Sequence, residues 1–239
     1  MQNSFKGKRA LVGGSSQGIG KAVAELLAER GAEITLLARN PERLQAVCEG
    51  LATNHGQSHR FIAADFSQPS EVLSAVSAVA KQAPFQILVN NTGGPPGGPI
   101  VDADADAFLA AFNAHLINNH QLAQALVPGM EASGYGRIIN IISTSVKAPL
   151  KGLGVSNTVR AAVGNWSKTL SMELGPKNIT VNNVLPGATM TQRLSSIIES
   201  KAAKTGQSIQ SVEAAMLSQI PLGRFAQAEE VAEAVCFLA

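Results

Sequence analysis

The chain has 239 residues, 45% of them hydrophobic and 15% charged, with a formal net charge of +2. That is enough apolar sequence for one substantial core, so residues 1–239 read as a single domain. A balance this small, with Lys and Arg interspersed among acids, leaves no footprint for nucleic acid or an acidic membrane surface, and no apolar run reaches the length that spans a bilayer. Cys48 and Cys236 match no metal-binding or redox spacing and read as two buried thiols in a reducing compartment. Residues 1–14 lack the apolar stretch and cleavage site of a signal peptide, so the expected location is cytoplasmic.

Residues 8–13 read as a short buried strand, followed by Gly13-Gly14-Ser15-Ser16-Gln17-Gly18-Ile19-Gly20 and a helix over 21–30. Glycines at 14, 18 and 20 permit a tight turn, close approach of a diphosphate and close helix packing, while the helix N-terminus supplies amide donors to the anion. Between a strand and a helix, such a pattern points to dinucleotide binding. A second strand, Glu33–Ala38, ends in Arg39-Asn40, where a dinucleotide fold often carries an acid for the adenosine ribose. A guanidinium there suits a 2′-phosphate, which favours NADP(H) over NAD(H), although Gln17 adds no second positive charge.

A helix is predicted over 41–52, a strand over 60–64 with Asp65 and Phe66 at its end beside an adenine, and a helix over 70–82 capped by Ser67 or Ser70. A strand over 85–89 leads into Asn90-Asn91-Thr92-Gly93-Gly94-Pro95-Pro96-Gly97-Gly98-Pro99, too rich in Gly and Pro for anything but a shaped loop. Asp102, Asp104 and Asp106 lack the glycine and glutamate of a calcium loop and read as a charged helix start. One long helix is predicted over 106–130; its His115 and His120 have neither the spacing nor the intervening acid of a metal site, so no metal is expected.

Tyr135 is the only tyrosine. A strand over 137–142 ends at Ser143-Thr144-Ser145, a polar loop runs to Gly154, and a helix covers 155–174. The strand Ile179–Val184 ends in Pro186-Gly187. Residues 188–220, with helical runs from 192 and few large apolar side chains, read as a loop and helical cover over a substrate site, and a last helix begins near Ala228. Strands and helices alternating in this way specify an α/β, Rossmann-type, doubly wound and mostly parallel sheet with helices on both faces.

These motifs together resemble the short-chain dehydrogenase/reductase family, in particular the branch around bacterial 3-oxoacyl-[acyl-carrier-protein] reductases, over essentially the whole chain. The resemblance assigns Gly14, Ser16, Gln17, Gly18, Ile19 and Gly20 to the cofactor turn, Asp65 to the adenine, Asn91 and Gly93 to an Asn-Asn-Ala-Gly-like motif, and Pro186, Gly187 and Thr191 to the nicotinamide side. It implies an oxidoreductase acting on a carbonyl, 3-oxoacyl-like acceptor and a homotetramer or homodimer built from the helices holding His115 and Arg160; the final strand and glycine-rich tail usual in the family do not follow Ala239, and the sequence does not choose between a shortened chain and a missing sheet edge.

The family's catalytic set is Asn, Ser, Tyr and Lys. In this sequence the matching positions hold His115, Ser143, Ser156 and Arg160, so three of the four are changed. Asn118 and Asn119, about one turn on from His115, are candidate substitutes for the asparagine. An aliphatic hydroxyl is a far weaker acid than a phenol, so Ser156 can orient a substrate but is poorly matched to proton transfer. Arg160 can contact the cofactor ribose and supply charge, but does not readily give up a proton. Four readings stay open: a reductase whose proton comes from water, His115 or the substrate; a reductase of an activated alkene or imine; a cofactor-binding pseudoenzyme, regulator or scaffold; and non-redox chemistry at the nucleotide site.

Overall fold

The computed structural model describes residues 5–239. The absence of a leader was read partly from residues 1–4, which lie outside the described residues. The described strands are β1 (Arg9–Gly13), β2 (Glu33–Ala38), β3 (Arg60–Ala63), β4 (Ile87–Asn90), β5 (Gly136–Ile141) and β6 (Ile179–Val184). They form one sheet in the order β3-β2-β1-β4-β5-β6, with every pairing parallel. The short continuous apolar runs of β1, β2 and β4 are what a strand covered on both faces requires.

Helix α1 (Gly18–Glu29) and the last helix, α9 (Ala228–Leu238), cover one face, where Leu27, Ile34, Leu36 and Val235 are fully buried. Helices α2 (Pro41–Glu49), α3 (Pro69–Ala80), α4 (Ala105–Phe112), α5 (Asn118–Ala132) and α6 (Gly154–Leu174) complete the layers. Phe85, Leu88, Leu126 and Met130 form the centre of the second core, where α3 packs on α5. Because β1 and β4 are neighbours while their crossovers run to opposite sides, the crevice opens at their carboxyl ends, the place where doubly wound sheets bind ligands.

The structure corrects several sequence expectations. The predicted single helix over 106–130 is α4, a π-helical turn (Asn113–Ile117) and α5; the wider turn re-aims His115 inward. Neither Ser67 nor Ser70 caps α3: the N-cap is Gln68 without a side-chain bond, because Pro69 already sets the first helical φ and Ser67 is used in a turn with Asp65. Helix α2 stops at Glu49, and β3 is four residues long. The segment after β6 holds α7 (Gln192–Thr205) and α8 (Ile209–Leu217), which bury Leu194, Ile198, Val212 and Phe225 in a small core of their own. That segment therefore carries more packing than its Ser, Lys and Ala content suggested.

Candidate functional site

The glycine turn is built against the loop that follows β4. The Asn91 side chain donates to the carbonyls of Gly13, at 3.1 Å, and Gly14, at 3.3 Å, locking β1's end to β4's. Gly14 has φ +56°, and a Cβ on Gly20 would lie 2.3 Å from the Gly14 carbonyl, so neither position admits a side chain without displacing backbone. Buried Ser15 accepts the Leu37 amide at 3.0 Å, pinning the turn to β2. Ser16 and Ile19 are part-buried on either side of the exposed Gln17. The N-cap Gln17 makes no side-chain cap and the first turn of α1 holds no acid, so the amides of this N-terminus are left to bind an anion. The cradle fits a dinucleotide diphosphate.

At the end of β2, Arg39 is exposed and lies 3.9 Å from Asp65. Arg43, in the first turn of α2, donates to the Gln17 side chain at 2.9 Å. Asn40 caps that helix by accepting the Arg43 amide at 2.7 Å, which sets Arg43 beside the glycine turn. Arg43 thus places a second positive charge beside Gln17 and the glycine turn. Sequence reading missed it; the available signal was an arginine one helical turn past Arg39. Phe66 lays its ring edge toward Gly13, where an added Cβ would sit 3.4 Å away, and its carbonyl accepts from Asn118 at 2.7 Å.

The sequence-predicted catalytic positions converge at the carboxyl ends of β4 and β5. Ser143 follows β5 and accepts the Ser145 amide at 3.1 Å; Thr144 donates its amide to the Pro186 carbonyl at 3.2 Å, tying this turn to the Pro186-Gly187 loop. The hydroxyl of Ser156, part-buried in the first turns of α6, has no hydrogen-bond partner among the described residues and is available. One turn on, Arg160 donates to the Ile141 carbonyl at 2.8 Å and, at 3.5 Å, to that of Thr92, bridging the end of β5 and the loop after β4. Burial, and then the Arg193 guanidinium, lower its pKa to about 10, which leaves it charged at neutral pH.

His115 is 2% exposed, shares a hydrogen bond with Thr92 through Nδ1, and leaves Nε2 buried without a partner. Burial first, then Arg160 and Arg193, push its pKa down to about 3, so the imidazole is neutral at pH 7. Asn118 donates to the Phe66 and Asn113 carbonyls, and its amide is committed there. His120 packs edge-on against Trp166, and among the described residues no group of His, Cys, Asp and Glu could hold a metal. Tyr135 precedes β5 at the amino end of the sheet, where its hydroxyl donates to the Ala239 carbonyl and Lys8 and Arg137 cover its ring, each 4.0 Å from its centre. The chain's one phenol therefore stands at the opposite end of the strands from Ser156.

The segment after β6 closes over this arrangement. Thr191 caps α7 by accepting the Leu194 amide at 3.4 Å, and its methyl lies 3.3 Å from where a Gly18 Cβ would be. Arg193, two residues on, reaches the other way and donates to the Pro95 carbonyl at 2.6 Å, over Gly94. Lys204 of the same helix donates to the Gly97 carbonyl at 3.3 Å. Gly93 itself is exposed with no neighbour near its Cβ position. Arg193 also escaped the sequence reading, because a cation in a polar helix looks like an ordinary solvated face.

A family model described as Enoyl-(Acyl carrier protein) reductase matches residues 14–239. The chain is 33% identical to the 3-oxoacyl-[acyl-carrier-protein] reductase of Pseudomonas aeruginosa, over 99% of this chain and 91% of that one. It is 32% identical to D-erythrulose reductase of Gallus gallus, over 98% and 89% of the two chains. Among solved structures it is similar to L-sorbose reductase from Gluconobacter frateurii complexed with NADPH and L-sorbose. That match has a TM-score of 0.92 and 33% identity, over 100% of this chain and 91% of that one.

Proposed function

Because the chain is an oxidoreductase belonging to the short-chain dehydrogenase/reductase family, we propose that it is an NADP(H)-dependent reductase of carbonyl compounds with a non-standard proton donor. The observation that carries this reading is the glycine turn wedged on Asn91, with Arg39 and Arg43 beside it at the end of β2. Two guanidiniums and no unopposed carboxylate at that strand end suit a 2′-phosphate better than a free ribose diol. The relatives named above include a reductase solved with NADPH, which supports the same assignment.

When bound, the reduced nicotinamide supplies a hydride to the carbonyl carbon, and one proton must reach the oxygen to give the alcohol and the oxidised dinucleotide. Asp65 and Phe66 would flank the adenine end, Gly14, Ser16, Gln17, Gly18, Ile19 and Gly20 would hold the diphosphate, and Asn91, Gly93, Pro186, Gly187 and Thr191 would line the nicotinamide end. Ser143 and Ser156 orient the carbonyl oxygen with their hydroxyls. Arg160, charged and fixed to two backbone carbonyls, would hold the nicotinamide ribose and oppose negative charge developing on the oxygen. His115, held neutral, accepts or donates a hydrogen bond through Nε2 and does not serve as an imidazolium acid. The proton comes from water in the cleft.

Residues 188–220 act as the substrate-side cover of a single domain. The chain works in the cytoplasm as a homotetramer or homodimer; no helix among the described residues is long and apolar enough to cross a membrane. The test is titration with NADPH and NADH, followed by a screen over ketones, ketoacyl thioesters, quinones, imines and enones. NADPH binds more tightly than NADH and is consumed with a ketone. Tight NADPH binding with no consumption across the panel overturns the reading in favour of a pseudoenzyme.

A further inference from the structure

We infer that the acceptor carries an oxyanion group, a carboxylate or a phosphate monoester, which Arg193 takes while the carbonyl faces Ser143 and Ser156. The inference rests on the reductase reading above and names the substrate class of the same site.

Several cations elsewhere in the chain meet a carboxylate: Glu33 serves Arg9 and Arg60, Glu230 serves Arg224, and Glu131 serves Lys177. Around the loop after β4 three cations gather on backbone carbonyls instead. Arg160, Arg193 and Lys204 all donate to backbone carbonyls of that loop or of β5's end, and no carboxylate among the described residues pairs with any of them. A cleft lined by cations of one sign concentrates anions and leaves a desolvation cost that a bound anion relieves.

The dinucleotide diphosphate does not account for Arg193. Thr191 faces Gly18 and the N-terminus of α1, whereas the Arg193 guanidinium lies over Gly94 and Pro95, on the loop whose Thr92 holds both His115 and Arg160. Only Nη2 of Arg193 is engaged, so most of its five donors remain for a ligand, in the fork that matches two oxygens of a carboxylate or phosphate. His115 lies within electrostatic reach of both Arg160 and Arg193, and its Nε2 is buried without a partner, a polar atom that proteins nearly always satisfy.

The experiment uses the full chain loaded with NADP+. Calorimetric titration compares 2-, 3-, 4- and 5-oxo acids with their methyl esters, and dihydroxyacetone phosphate with dihydroxyacetone. The expected result is that at least one anion binds ten-fold or more tightly than its neutral counterpart, and that added NaCl weakens the anion alone. The oxo-acid and phosphate arms separate the two sources of negative charge. Arg193→Gln is expected to bring anion and neutral ligand to near parity while the NADP+ affinity stays within about two-fold. Neutral ligands binding as well as anions in every pair would overturn the inference, as would a parallel loss of NADP+ affinity in Arg193→Gln. If that variant does not fold, the wild-type pairs and their salt dependence decide. Because binding is read without turnover, an anion preference with no NADPH consumption would uphold the anion site and overturn the reductase reading alone.

Discussion

Replacing Arg39 or Arg43 by alanine is expected to weaken NADPH binding about ten-fold each while leaving NADH nearly unchanged. A hydrogen bond from a charged donor is worth about 1.5–3 kcal/mol, and a ten-fold change is about 1.4 kcal/mol. Equal losses for both nucleotides, read by fluorescence titration, would remove the 2′-phosphate assignment. His115 gives a prediction in pH. An unfolded imidazole takes a proton near pH 6.5, but the folded one resists it until about 3, because burial and the guanidiniums of Arg160 and Arg193 oppose the charge. Between those values the unfolded chain binds the extra proton, so stability falls as pH drops below 6.5, by about 2 kcal/mol at pH 5. His115→Asn removes that penalty, and its melting temperature should fall less than wild type's between pH 7.5 and 5. Parallel pH profiles would show that His115 titrates normally. Gly20→Ala, whose Cβ would meet the Gly14 carbonyl, is expected to cost about 1–3 kcal/mol and to abolish dinucleotide binding.

Three neighbouring strands each carry an asparagine at the same level. Asn90 pairs in register with Asn140, and Asn140 with Asn183. Their amides chain across the sheet, Asn90 to Asn140 at 2.8 Å and Asn140 to Asn183 at 3.1 Å, and Asn183 passes the chain to Ser167 of α6. A one-residue slip in any strand would leave buried amides unpaired, so the row fixes register and docks the helix that carries Ser156 and Arg160. Asn140→Ala strands a donor on Asn90 and an acceptor on Asn183 and is expected to cost about 3 kcal/mol, read as a lowered urea midpoint. A cost below about 1 kcal/mol would mean the row adds little. Strand and helix order was legible in the sequence because β1, β2 and β4 are continuous apolar runs, whereas the caps were not: α3 uses neither Ser67 nor Ser70. The π turn was not, because Asn113–Ile117 has the same helical periodicity as its flanks and only the inward pull on His115 distinguishes it. The asparagine row was equally hidden, since cross-strand pairing is invisible until the sheet order is known.

At the scale of the whole molecule, the glycine turn between β1 and α1 was readable from a local motif because it is contiguous in sequence. On the other side of the cleft the sequence names His115 and Arg160 but not Arg193 or the contacts that join them to Thr92: the four come from separate segments and meet only through the β4–β5 adjacency and the fold-back of α7. The same long-range packing leaves an unfinished surface on the helices that build the site. Leu109 on α4 is 62% exposed and Met172 on α6 is 72% exposed, although both helices are otherwise packed against the body through Val155, Val159 and their neighbours. Large apolar side chains held in water on α6, which carries Ser156 and Arg160, and on α4, which runs into the turn holding His115, favour self-association, which would remove about 25 cal/mol of unfavourable hydration for each Å² of apolar surface covered. The expected wild-type species in sedimentation velocity at micromolar concentration is a dimer or tetramer. Leu109→Lys combined with Met172→Lys should shift it to a monomer with an unchanged circular dichroism spectrum, because neither side chain belongs to a buried cluster. The monomer should lose carbonyl reduction more than NADPH binding: α6 positions Ser156 and Arg160, whereas the glycine turn rests on β1, β4 and α1, away from those helices. A wild-type chain that sediments as a monomer would place the exposed leucine and methionine outside any self-interface.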